Sequence, residues 1–201
     1  MRFFAFLAAL ALVPSVAAAH PGRHPHAHPH HGHGPPPPPA DQPGDAAVTV
    51  LLGTDTAFDG NPASVRLTIS GEGDIVRDQG VALAVALPVT IMTAGQFGDS
   101  VANQTALELP PSLRLRLFPH GIVRPYGDLG LGVAIVSKNA NGGLFADASQ
   151  TVGLMTRGAL GLEIGEPDGF MFVIEPISAR SYHIGPTYGR FGMMIGGGAR
   201  F

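Results

Sequence analysis

From residue 45 onward, apolar and small or polar residues alternate with a period of two. The last run is the clearest. Across 188–201, one parity carries Phe191, Met193, Ile195, Gly197, Ala199 and Phe201. The other carries Tyr188, Arg190, Gly192, Met194, Gly196, Gly198 and Arg200. Successive side chains of a β-strand point to opposite faces, so this pattern predicts a strand with one apolar face. Runs at 48–55, 64–70, 81–92, 107–117, 124–136 and 151–164 behave the same way. In each, Val, Leu or Ile occupy one parity, and Ala, Gly, Thr, Arg or an acid the other. The run 170–182 loses its parity at Glu175-Pro176, where a β-bulge is the usual remedy. Clusters of Gly, Asp, Asn and Pro separate the runs, which is an all-β signature.

Eight strands with this alternation predict an antiparallel transmembrane β-barrel, apolar side outward. Lipid offers no hydrogen bonds, so a strand-built protein satisfies its backbone there only by closing. Gly and Ala on the inner parity suit the narrow interior of eight strands. The uncharged stretch 80–98 also reads as a membrane helix, but Pro88 and the strict period of two favour a strand and the start of a loop.

The first 44 residues have another texture. Arg2 precedes an uncharged segment, 3–13, too short for a membrane-spanning helix, and Ala17-Ala18-Ala19 fits a small-residue cleavage site. Residues 1–19 are therefore expected to be a signal peptide and 20–44 a disordered His/Pro-rich extension before the barrel, 45–201. That extension holds His20, His24, His26, His28, His30, His31 and His33 among prolines, five of them consecutive (35–39). Nothing in it can bury an apolar face, and its prolines favour polyproline II. A polar spacer is the simpler reading. Weak Zn²⁺, Ni²⁺ or Cu²⁺ binding by the imidazoles is the alternative, without fixed geometry or supporting hydrogen bonds. No other cofactor is expected.

The chain has no cysteine, which removes disulfides, thiolate metal sites and Cys nucleophiles. A formal charge of −3 offers no basic surface for nucleic acid. A signal peptide without cysteine points to a bacterial envelope.

Two segments carry a family resemblance: 124–132 (RPYGDLGLG), and 192–201 (GMMIGGGARF) with its terminal Phe. The chain resembles the small OmpA-like outer-membrane β-barrel proteins of bacteria. The resemblance implies outer-membrane lipid around the wall. It also implies recognition by the barrel-assembly machinery through Phe201, Ala199, Gly197, Ile195 and Met193. It places both ends of the barrel, and the extension, in the periplasm. Turns are then expected at 71–80, 120–125 and 165–169, and external loops at 57–63, 93–105, 137–150 and 183–187. The aromatic girdle of the family is missing, with Tyr at 3 and Trp at 0.

On this parity Arg66, Arg114, Arg116, Arg157, Arg190 and Arg200 point inward with Glu108, Asp128, Glu163 and Glu175. Such groups must pair, because a lone buried charge costs several kcal/mol. A salt-bridged plug is the simpler outcome, and a narrow Arg-lined pore the alternative. Gly132 is expected to accept a methyl into the lumen, whereas Leu131 beside it faces lipid. No catalytic motif is present. Ser181 and His183, with Glu175 as orienter and His120 distant, are the one candidate neighbourhood for a lipid A-modifying enzyme. A non-enzymatic structural or surface-interaction role, with the surface ligand open, is the leading expectation.

Overall fold

The computed structural model describes residues 46–58, 63–93, 103–139, 149–185 and 187–201. The expected signal peptide and the His-rich extension lie outside the described residues. Nine β segments appear among these: β1 (Ala46–Ala57), β2 (Ser64–Arg77), β3 (Val81–Thr93), β4 (Asn103–Leu109), β5 (Ser112–Leu117), β6 (Val123–Asn139), β7 (Ser149–Gly165), β8 (Phe170–His183) and β9 (Thr187–Arg200). Every neighbouring pair is antiparallel. β9 returns to β1, from Ala47↔Arg200 to Ala57↔Arg190, and closes the sheet.

β4 and β5 are two halves of one spanning strand. Both pair with β3 on one side and β6 on the other. From Thr90↔Glu108 to Ala86↔Ser112 the register advances equally on both strands, so Pro110 and Pro111 add no bulge. They interrupt the ladder because proline has no N–H to donate. The barrel therefore has eight spanning strands. Of the uncharged stretch 80–98, residues 81–93 are β3, with Val81, Val85, Leu87 and Ile91 outside and Ala82, Ala84 and Ala86 inside.

Two turns are shorter than their composition predicts. β2 runs on to Arg77 with a bulge between Asp74 and Val76, so most of 71–80 is strand. β6 begins at Val123, which puts Arg124 and Pro125 in the wall rather than in the turn. In both places pairing with a neighbouring strand extends a segment whose Gly and Pro argue locally for a turn. The bulge expected near Pro176 is present: Glu175 and Ser178 face Met194 and Gly192, three residues against two. It reverses the parity of β8. Met171, Val173 and Glu175 point inward before it, and Ser178, Arg180 and Tyr182 after it.

The outer wall is a belt of exposed aliphatic side chains, among them Val50, Leu67, Leu129, Leu131 and Ile195. An apolar surface of that extent has no place in water, and a closed ladder leaves no free strand edge. Phe118, Phe170, Phe172 and Phe201 cluster at the end that carries the short turns, here the turn end. Tyr126 and Tyr182 are buried inside. The aromatics available for a girdle are thus split: exposed Phe lies at both rims, with Phe58 and Phe191 at the loop end, and these two Tyr pack the lumen.

Candidate functional site

Alternation in the eight strands delivers side chains to one narrow interior, and the charged ones meet in three tiers. At the loop end, Arg66 (β2) ion-pairs with Asp55 (β1) and lies 3.2 Å from Glu108 (β4). Its Nη2 donates to the Tyr182 hydroxyl at 2.6 Å, and that hydroxyl donates to Glu108. Arg190 (β9) completes the tier, 2.9 Å from Asp55 and 3.2 Å from Ser64 Oγ. Arg180 (β8) reaches Glu108 at 3.2 Å.

In the middle tier Arg157 (β7) bridges two acids. It donates to Asp128 at 2.6 Å and to both oxygens of Glu175 at 2.7 and 2.8 Å. Tyr126 donates to Glu175 at 3.0 Å. Arg114 stacks over the Tyr126 ring, 4.2 Å from its centroid, and reaches Asp128 at 3.0 Å.

The turn-end tier has two hubs. Glu163 (β7) is 3.0 Å from Arg116, 3.2 Å from Arg124, 3.4 Å from Arg200 and 3.5 Å from Arg114. Glu72 (β2) takes Arg114 at 2.7 Å, Arg200 at 2.5 Å and also Arg116. Asp74 receives Arg116 at 3.1 Å and pairs with Arg77 beside it. Side chains such as Met92, Met155 and Tyr182, and Leu51, Val173 and Met194, fill space between the ions.

All ten lumen residues named from the sequence lie inside the barrel and are buried. Sequence parity missed others. Glu72 and Asp74 fall in the stretch whose composition predicts a turn, 71–80, and Arg124 falls in the turn expected at 120–125. Asp55 had the inward parity but was not counted among the ions. Arg180 has the inward parity only after the bulge at Pro176. Among the described residues the interior holds eight buried arginines rather than six, and seven acids with Asp74 rather than four.

Gly132 does not behave as expected. A Cβ there would sit 2.0 Å from the Leu109 carbonyl oxygen and 2.6 Å from Pro110 Cα. The proline break brings the β4 backbone against β6 at that point, so the missing side chain is a packing requirement.

No protein-family model matches the chain, and no curated protein matches it. Solved structures do. Neisserial surface protein A superposes with a TM-score of 0.53 at 12% identity, over 78% of this chain and 96% of that one. The outer-membrane enzyme PagL gives 0.55 at 15% identity, over 76% of this chain and 99% of that one. The chain has the fold of the small eight-stranded outer-membrane barrels. One of these two barrels is described as a surface protein and the other as an enzyme, so the fold carries no single activity.

The barrel does not assemble the catalytic neighbourhood suggested by its sequence. Ser181 and His183 are on the outward parity of β8, and the His183 Nδ1 lies 3.1 Å from Thr187 Oγ1. Glu175, the expected orienter, is on the other side of the wall, held by Arg157 and Tyr126. The Pro176 bulge separates them by inverting the parity between 175 and 181. His120 sits in the turn after β5, at the opposite end. Among the described residues no group of three or more His, Cys, Asp or Glu is arranged to hold a metal ion. The His-rich tract proposed for weak metal binding lies outside those residues.

Proposed function

We propose that this chain is an outer-membrane barrel whose lumen is closed, with a structural or surface-interaction role in the cell envelope rather than a transport or catalytic one. The observation that carries this reading is the filling of the lumen. Its eight arginines are between 0% and 4% exposed, and each is in contact with at least one carboxylate. An aqueous pore needs a hydrated path past its lining charges. Here the guanidiniums are engaged with acids across the barrel, as in a small barrel filled by its own side chains.

On this reading the turn end and residues 20–44 are periplasmic. The expected loops at 57–63, 93–105, 137–150 and 183–187 are then the external ones and supply whatever contact the protein makes. Phe201, Ala199, Gly197, Ile195 and Met193 form the outward stripe offered to the assembly machinery.

Single-channel recording in planar bilayers tests the closed lumen. No conductance steps are expected from folded protein. Discrete, anion-selective steps would replace this reading with the Arg-lined pore. Mass spectrometry of lipid A from cells with and without the protein tests the enzymatic alternative; a protein-dependent change in acylation would establish it.

A further inference from the structure

The lipid-facing wall is not evenly filled. Between β6 and β9, towards the loop end, it holds an open cleft of about 510 Å³, within the ~300–1,000 Å³ usual for small-ligand sites. Cross-strand register builds it. Gly158 on β7 stands opposite Ala179 on β8, and Thr156 opposite Ser181. All four have the outward parity, so two adjacent rows of small side chains form a floor. Leu129 and Leu131, their neighbours on β6, rise on one side and are largely exposed. Phe58 rises on the other. Its ring lies over Gly189, the β9 partner of Ser181, where a Cβ would sit 2.0 Å from Phe58 Cδ2.

The floor carries two hydroxyls. Thr156 and Ser181 face lipid, and among the described residues neither is engaged by another side chain. Hydrocarbon supplies no acceptor, and a polar group left there without a partner is costly. The depth of the pair selects what supplies one. Ser181 is two residues from the end of β8, and Gly189 two residues from the start of β9, so the hydroxyls lie within about 7 Å of the strand ends. His183 and Thr187, 3.1 Å apart, end the apolar surface of these two strands directly above. A membrane lipid places its acyl-ester carbonyls at that level, between hydrocarbon and headgroup.

We propose that this cleft binds one ester-linked acyl chain of lipid A. The Thr156 and Ser181 hydroxyls donate to the ester carbonyl oxygen. From there the chain runs over Gly158 and Ala179, between Leu129 and Phe58. The cleft is continuous with the belt that lipid already surrounds, and its position at the loop end selects the outer leaflet. This rests on the outer-membrane reading with the loop end external. Surface labelling of Thr187→Cys on intact cells reads that orientation separately, in a chain with no other cysteine, so a wrong topology is distinguishable from an empty cleft. The closed lumen is on the other face of the wall and is tested by conductance alone.

The test is native mass spectrometry of the full chain, refolded in detergent with equal amounts of lipid A and a phosphatidylethanolamine. One intact lipid A per chain is expected to survive removal of the micelle. Gly158→Leu fills the floor, and its Cβ meets only Leu129 Cδ2 at 3.6 Å and the Asp128 carbonyl oxygen at 4.0 Å, so the wall accepts it. It is expected to lower the retained fraction by roughly tenfold. Thr156→Val combined with Ser181→Ala is expected to lower it by a similar factor, about tenfold, through the loss of two hydrogen bonds. Gly71→Leu, on the outer face of β2 with open space around its Cβ, is the control and should retain lipid A fully. No retention by the wild type, equal retention of phosphatidylethanolamine, a chain dimer in place of bound lipid, or retention unchanged in Gly158→Leu would overturn the proposal. Should Gly158→Leu fail to fold, the hydroxyl variant decides by the same criterion.

Discussion

Glu163→Gln is the sharpest probe of the lumen. The substitution keeps the shape and removes one charge from the point where Arg114, Arg116, Arg124 and Arg200 converge within 3.5 Å. Glu163 is fully buried, so water cannot replace the lost carboxylate. Arg114, Arg116, Arg200 and Arg77 would then share Glu72 and Asp74, Arg114 would also share Asp128 with Arg157, and Arg124 would keep only the Gly121 and Gly165 carbonyls. Removing one partner of a buried ionic network costs about 3–5 kcal/mol. That is a large part of the ~5–15 kcal/mol that holds a domain folded. At a urea slope of ~2 kcal/mol per molar, the midpoint should fall by roughly 2 M. The assay is urea unfolding in lipid vesicles, read by the fraction of protein that keeps heat-modifiable migration. Glu166→Gln, in the exposed turn after β7, is the control and should change the unfolding free energy by less than about 0.5 kcal/mol. A Glu163→Gln effect within the ~0–1 kcal/mol typical of solvent-exposed pairs would mean that the lumen is wet and its charges screened. The closed-lumen reading would then be refuted.

Leu131→Arg places a charge on the lipid-facing wall, where Leu131 is 64% exposed, and should lower folding free energy in vesicles by about 2–4 kcal/mol. Gly132→Ala should cost about 1–3 kcal/mol through its clash with the β4 backbone, while Gly71→Ala, with open space around its Cβ, should be neutral in the same titration. Deleting Phe201 removes the outward terminal side chain and the pair of hydrogen bonds that tie it to Ala46, at 2.9 and 3.1 Å. Unassembled protein should then accumulate in the periplasm, and normal outer-membrane levels on cell fractionation would contradict the assembly role. Removing 20–44 should leave heat-modifiability unchanged. Calorimetric titration of the full chain with Zn²⁺ should show only weak, non-stoichiometric uptake; saturable submicromolar binding lost at pH 5.5 would instead make the tract a metal site.

What the sequence determined by itself is the local alternation. The Cβ direction along a strand inverts at every residue, so each regular run declares its own two faces without reference to any other. That is why Val65, Leu67 and Ile69 could be assigned outward and Arg66 inward from seven residues, and why the eight spanning strands and the even, lipid-facing barrel were legible. The expectation of a bulge at Pro176 was legible for the same reason, since proline cannot donate to the ladder. Which parity resumed after it was not. The extra residue in β8 is tolerated because Leu160 and Leu162 on one side and Gly192 and Met194 on the other set the register, and this turned Arg180 inward. Glu72 and Asp74 became lumen acids only because β3 held β2 in strand past its glycines. Gly132 is required by a backbone 23 residues earlier, at Leu109, brought beside it by sheet closure. The pairing of ions was decided in the same way. Arg66 and Tyr182 are 116 positions apart and meet because barrel closure and strand stagger set which inward side chains share a level. Side-chain direction is a property of a few consecutive residues, but the partner it meets across a closed sheet depends on every register in the ring, and only the tertiary structure fixes those together.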